Sequence, residues 1–120
     1  MNNIDWLLIE KMTTLEEVIE LSHSTPCLIY KHSTRCSISS LAQNRLEKSW
    51  AFSSEELLPY FLDLITYRAI SNAIAEQFGV PHESPQVLLI KDGRCVYDAS
   101  HLQISAREIK EQLTEVKGKL

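Results

Sequence analysis

The sequence predicts an α/β fold, a central mixed sheet flanked by helices, and three observations carry that expectation. Short β-branched and aromatic runs alternate with longer stretches whose apolar residues recur every three or four positions, as strands exchanging with amphipathic helices do. The last two strand-type runs have no helix between them, only "KDG", a hairpin turn signal. With 44% hydrophobic and 23% charged residues but only 3 Gly and 4 Pro in 120 positions, the chain can bury one core without disulfide or metal staples and is not disordered.

The first apolar run, "WLLIE" (6–10), suits a short strand. In "TTLEEVIELS", Thr13 or Thr14 can cap a helix with Glu16 or Glu17 three residues on, while Leu15, Val18 and Ile19 supply the buried stripe. "PCLIYKH" (26–32) is β-branched and aromatic and reads as a buried strand. Ile38, Leu41, Ala42 and Leu46 recur at helical spacing, so a helix is expected from near Cys36 to about Trp50. "LPYFLDLI" (58–65) is another buried strand, with Pro59 near its start, where a missing N–H is tolerated. "YRAISNAIAEQFG" follows as a helix with Ile70, Ala73, Ile74 and Phe78 on one face and Gly79 at the C-cap. "VPHESP" is a loop, "QVLLI" and "RCVYD" are the hairpin strands, and "SAREIKEQLTEVKGKL" opens with a capping box, Ser105 and Glu108, and turns Ile109, Leu113 and Val116 inward. The order is β-α-β-α-β-α-β-β-α. Right-handed crossovers make the early strands parallel and the hairpin adds antiparallel ones, the arrangement of a thioredoxin-like fold, expected to fill residues 1–120 as a single domain.

A net charge of −4 argues against nucleic acid as the partner, because phosphate binding needs a basic face. No apolar run approaches the roughly 18 residues that cross a bilayer, and "MNNIDWLLIEKM" lacks the basic start of a signal peptide. The three cysteines, Cys27, Cys36 and Cys95, form neither a disulfide framework nor, with the histidines, a zinc-ligand pattern. Free, reduced cysteines are the expectation, in a cytoplasmic protein without metal, and the odd number leaves room for a reactive thiol.

Cys36 has the position for it. A cysteine at a helix start faces unpaired backbone N–H groups and the positive end of the helix dipole, and both favour the nucleophilic thiolate over the thiol. From Glu20 to Glu47 there is no acidic residue between, while Lys31, Arg35, Arg45, His23 and His32 fall in that window. Such surroundings stabilise a thiolate and attract an anionic thiol, with Arg35, adjacent to the cysteine, as the first candidate. Three residues on stands Ser39 rather than Cys, so attack on a disulfide leaves Cys36 in a mixed disulfide. Cys27 lies more than about 13 Å back along its strand, whereas a disulfide needs Cα atoms within about 7 Å, so Cys27 is read as structural. Cys95 alternates within a hairpin strand, and the pattern leaves its face open. Ser84 and Pro85 fit the cis-proline loop that a thioredoxin-like fold sets beside its cysteine, where the backbone can receive an extended substrate like an added strand. His32 and His101 are expected at the surface. Asp63 either tunes proton transfer or caps its strand's C-terminal edge, and the sequence leaves the two readings level.

The stretches "YKHSTRCSIS", "YFLDLITYRAISNAIAEQFGV" and "HESPQVLLIKDGRCVYDASH" together resemble the monothiol bacilliredoxin family of the YtxJ type, small thioredoxin-like proteins of bacillithiol redox systems. The resemblance runs from about Trp6 to the last helix and is most specific in "HSTxCxIS" and "SPQ". It implies a monothiol oxidoreductase in which Cys36 takes bacillithiol from a protein mixed disulfide. No cofactor is bound in that scheme. The partners are S-thiolated proteins and the small thiol, with a flavin-dependent disulfide reductase system restoring the cycle. Thr34, Arg35, Ser37 and Ser39 match the positions around the cysteine, and Ser84 with Pro85 match the cis-proline loop. One departure is Ser37, where many members carry Pro; a serine there can cap the helix or hydrogen-bond the sulfur. The competing reading is a redox-sensing or partner-binding module whose Cys36 is modified under oxidative stress without turnover.

Overall fold

The computed structural model describes residues 4–118. Five strands, β1 (Leu7–Leu8), β2 (Cys27–His32), β3 (Leu58–Asp63), β4 (Gln86–Lys91) and β5 (Arg94–Ser100), form one sheet in the order β1-β3-β2-β4-β5. Helices α1 (Met12–Leu21), α2 (Ser37–Ser49), α3 (Arg68–Phe78) and α4 (Ala106–Gly118) cover it. The strands β1, β3 and β2 run parallel, and β4 and β5 are antiparallel to their neighbours. That is the mixed sheet expected from helices between the early strands and a turn between the last two.

Strand β2 lies between β3 and β4, and all six of its residues are buried. Its side chains alternate between two cores. Cys27 and Ile29 join Leu15 and Val18 of α1 and Ile70 and Ile74 of α3 on one face. Leu28 and Tyr30 join Ala42 and Leu46 of α2 and Ile109 and Leu113 of α4 on the other. Two residues then continue the alternation with polar groups, Lys31 toward the first core and His32 toward the second.

Several expectations are corrected in detail. Strand β1 is two residues long and exposed, an edge strand paired on one side only. Trp6 turns inward instead, donating Nε1–H to Glu47 at 2.8 Å and packing against Tyr30, Trp50 and Phe61. Helix α1 begins at Met12 with Lys11 at the cap, so Thr13 and Thr14 lie inside the first turn rather than capping it. In α2 the inward stripe is Ser39, Ala42 and Leu46, whereas Ile38 and Leu41 are 41% and 50% exposed. At the end of β3 the Asp63 carboxylate accepts Ile65 N–H, Thr66 N–H and the Thr66 hydroxyl, so Asp63 caps its strand's C-terminal edge.

Other expectations hold. Gly79 closes α3 in the left-handed region at φ 66°. Asp92 and Gly93 take φ 53° and 74°, the pair of positive values a two-residue hairpin turn demands. That turn is tied to the end of α1, since Gly93 N–H donates to Ser22 Oγ at 2.8 Å and Asp92 N–H to Ser22 O at 2.9 Å. Ser105 Oγ accepts Glu108 N–H at 3.0 Å and caps α4 as expected; the side chain of Val116 lies outside the described residues. Between β5 and α4 a single 3-10 turn, His101–Gln103, is inserted that periodicity did not predict.

Candidate active site

Cys36 stands just past the C-terminal end of the central strand, as the N-cap of α2, in extended backbone at φ −121° and ψ 116°. It is half-buried. The chain reverses here through a turn that its own backbone closes: Cys36 N–H donates to Ser33 O at 3.2 Å, and Ser39 N–H donates to Cys36 O at 3.1 Å. Thr34, Arg35, Ser37 and Ile38 lie around it, and the first turn of α2 holds no acid. Cys36 makes no side-chain cap, so no side chain of the N-cap residue occupies the first N–H groups of the helix.

Beneath the turn sits a buried polar cluster that sequence reasoning reached only in part. Ser39, where a second thiol would stand, is 0% exposed. Its backbone carbonyl accepts the Tyr30 hydroxyl at 2.7 Å, its Oγ accepts Ser33 N–H at 3.1 Å, and the same Oγ meets His32 Nδ1 at 2.7 Å. These bonds explain how a serine occupies an inward helix position without an unsatisfied hydroxyl. His32 is therefore not the surface residue expected: it is 8% exposed, ringed by Tyr30 and Phe61. Burial holds its imidazole below the usual histidine range, with Asp63 on the neighbouring strand opposing that shift. Burial also pushes the Tyr30 hydroxyl up to about 12, outweighing the opposing hydrogen bond to Ser39. The signal that could have found His32 is the two-residue period: Leu28 and Tyr30 face the core, and His32 follows in phase. His101 is exposed as expected, with Nε2 3.4 Å from Glu83.

The second element of the site is the loop before β4. The Ser84–Pro85 peptide bond is cis, and Pro85 is buried. Lys31 pairs with Gln86 in the β2–β4 ladder, so one step further along, Pro85 comes beside the end of β2 from which the Cys36 turn departs. The 3-10 turn holds this loop, His101 N–H donating to Pro85 O at 2.9 Å. Ser84 Oγ is buried with no hydrogen-bond partner among the described residues.

The other two thiols are chemically set apart. Cys27 is fully buried, and burial pushes its thiol up to about 12. It faces the carbonyls of Thr25 and Val18 at 3.4 and 3.8 Å. Cys95 is half-buried against the α1/α3 core because the ladder slips between Leu89 and Ile90, and burial pushes its thiol up to about 11. Its S–H donates to Tyr97 O at 3.3 Å. All three cysteines are free. Among the described residues no cluster of three or more His, Cys, Asp or Glu could hold a metal ion, and no helix is long and apolar enough to cross a membrane.

Comparison with known proteins agrees with this fold. A thioredoxin-fold protein described as a putative oxidoreductase is 27% identical, with a TM-score of 0.75 over 88% of this chain and 91% of that one. A thioredoxin of Malassezia sympodialis superposes with a TM-score of 0.71 at 15% identity, covering 96% of this chain and 93% of its own. A mutant thioredoxin of Halobacterium salinarum does so at 0.68 and 19% identity, over 91% and 88%. The last two likenesses concern the fold alone. Residues 8–109 match the family model described as monothiol bacilliredoxin BrxC. Thioredoxin-like in architecture, with one half-exposed thiol at the start of α2, the chain belongs to the monothiol bacilliredoxin BrxC family.

Proposed function

We propose that the chain is a monothiol thiol-disulfide oxidoreductase that removes bacillithiol from protein mixed disulfides, with Cys36 as its nucleophile. The observation that carries this reading is the pairing of a half-exposed Cys36 at a helix N-cap with a buried Ser39 in the place of a second thiol. The thiolate of Cys36 attacks the bacillithiol sulfur of the mixed disulfide. The old S–S bond breaks, the substrate protein leaves as a thiolate that takes a proton from water, and a new S–S bond joins bacillithiol to Cys36. No second thiol of the chain resolves this adduct: Ser39 carries none, and Cys27 and Cys95 are held protonated by burial. A free bacillithiol thiolate then attacks the adduct, giving the bacillithiol disulfide and restoring Cys36. A flavin-dependent disulfide reductase returns that disulfide to two thiols.

The surrounding residues divide the remaining work. Arg35, exposed and adjacent to the cysteine, offers a cation to the anionic small thiol, and the Thr34 and Ser37 hydroxyls belong to the same rim. The backbone at Ser84, ahead of the cis bond to Pro85, offers an edge to an extended substrate segment. The test is direct: incubated with a test protein carrying one bacillithiol, the reduced chain removes the adduct over multiple turnovers when bacillithiol is supplied, and Cys36→Ser removes none. An adduct that persists with the wild-type chain sinks this reading. A single transfer without turnover would favour the sensing module instead.

A further inference from the structure

We infer that His32 is a positioning residue for Cys36, acting through the Ser39 hydroxyl and setting the reactivity of the thiol according to whether the imidazole carries one proton or two. This rests on Cys36 being the reacting thiol of the proposed function.

The geometry makes Ser39 a joint between the ring and the turn. Its Oγ lies 2.7 Å from His32 Nδ1 and accepts Ser33 N–H at 3.1 Å, and its backbone N–H donates to Cys36 O at 3.1 Å. Ser33 in turn accepts Cys36 N–H through its carbonyl at 3.2 Å. A hydroxyl has one proton to give and two lone pairs to receive with. When the ring is neutral with its proton on Nε2, the Ser39 hydroxyl donates to Nδ1 and receives Ser33 N–H. When the ring gains a second proton, Nδ1–H becomes the donor, Ser39 Oγ receives from both His32 and Ser33, and the hydroxyl proton must turn to another acceptor. The same atoms stay in contact, but a donor has been released beneath the turn that carries the sulfur, and a positive charge has appeared behind it. Both changes favour the thiolate.

The groups facing the ring decide where this happens. Tyr30, from the same strand, has its ring centroid 6.3 Å away and keeps its hydroxyl protonated through the neutral range. Phe61 of β3 lies at 5.3 Å and contributes no charge. Asp63, paired with His32 in the β2–β3 ladder, is the acidic group on that side, and α2 presents the Ser39 hydroxyl. Burial outweighs Asp63, so the ring is neutral at pH 7 and takes its second proton only on the acid side of the ordinary histidine range.

The experiment follows alkylation of Cys36 by iodoacetamide from pH 4.5 to 8, by intact mass, in the wild type, His32→Gln and Ser39→Ala. Alkylation needs no disulfide substrate, so a chain that fails to strip bacillithiol yet keeps the profile below would overturn the proposed function and leave this inference standing. The wild-type rate is expected to show an additional inflection below about pH 6.5, where His32 titrates, and both variants are expected to lose it and follow a single ionisation. His32→Gln retains a hydrogen-bonding group but no titration, so a profile superimposable on the wild type overturns the proposal. The same coupling is read without any substitution at either residue from the His32 ring resonances in the wild-type chain, titrated before and after Cys36 is alkylated. Linkage is reciprocal, so the midpoint must shift, and an unmoved midpoint also overturns it.

Discussion

Ser39 shows how one residue sets the character of the site. As a cysteine it would supply a second thiol; as a buried serine bonded to Tyr30, His32, Ser33 and Cys36 it holds the turn and leaves Cys36 alone. Chemical selectivity among the three thiols follows from their surroundings. Iodoacetamide at pH 7 is expected to label Cys36 and to leave Cys27 and Cys95 unmodified on the same timescale, because burial raises those two to about 12 and about 11. Labelling of Cys95 at a rate matching Cys36, read by peptide mass, would contradict this account. The place of Cys36 at a helix start was legible in the sequence, since it follows an apolar strand and precedes a helical period, a local pattern. His32 was expected at the surface although the two-residue period placed it in phase with Leu28 and Tyr30, because the groups that receive its ring, Phe61 from β3 and the Ser39 hydroxyl from α2, are brought to it only by the fold.

At the scale of elements, caps and edges separate what periodicity can say from what it cannot. Ser105 caps α4 as its spacing to Glu108 implied, and Ser105→Ala is expected to cost about 1 kcal/mol, lowering the melting temperature by roughly 3–6 °C. A melting curve unchanged by the substitution would show that the bond contributes nothing. Thr13 and Thr14 offered the same signal for α1, yet the helix starts at Met12, with Thr14 N–H already bonded to Lys11 O at 3.1 Å. Nothing in the local sequence distinguishes those two cases. Ile38 and Leu41 read as core by their spacing and prove exposed, because Ser39 takes the inward place three residues before Ala42. Central strands were easiest to find, since burial on both faces leaves continuous apolar runs; the edge strand β1 shrank because it is paired on one side only.

Across the whole molecule, the sheet places two polar residues at the end of its central strand, one toward each core. His32 serves the face with the thiol, while Lys31, 0% exposed, sends Nζ to Ser71 O at 3.2 Å on the opposite face. Burial lowers the Lys31 amine to about 8. The unfolded chain holds that proton up to about pH 10.4, so between these limits unfolding takes up a proton and Lys31's contribution to stability rises with pH. Chemical denaturation of the wild type against Lys31→Met should therefore show the wild type gaining on the variant as pH goes from 8 to 10, and parallel curves would contradict the burial of a neutral amine. These polar groups lie within the architecture shared with thioredoxins, but the proposed chemistry rests on a single sulfur at the sheet's end. The most direct measurement is the intact and peptide mass of the reduced chain after one exposure to a bacillithiol-carrying protein with no free thiol present. The account predicts one bacillithiol on Cys36 and an equal loss from the substrate; an unmodified chain, or Cys36 joined to Cys95, would contradict it.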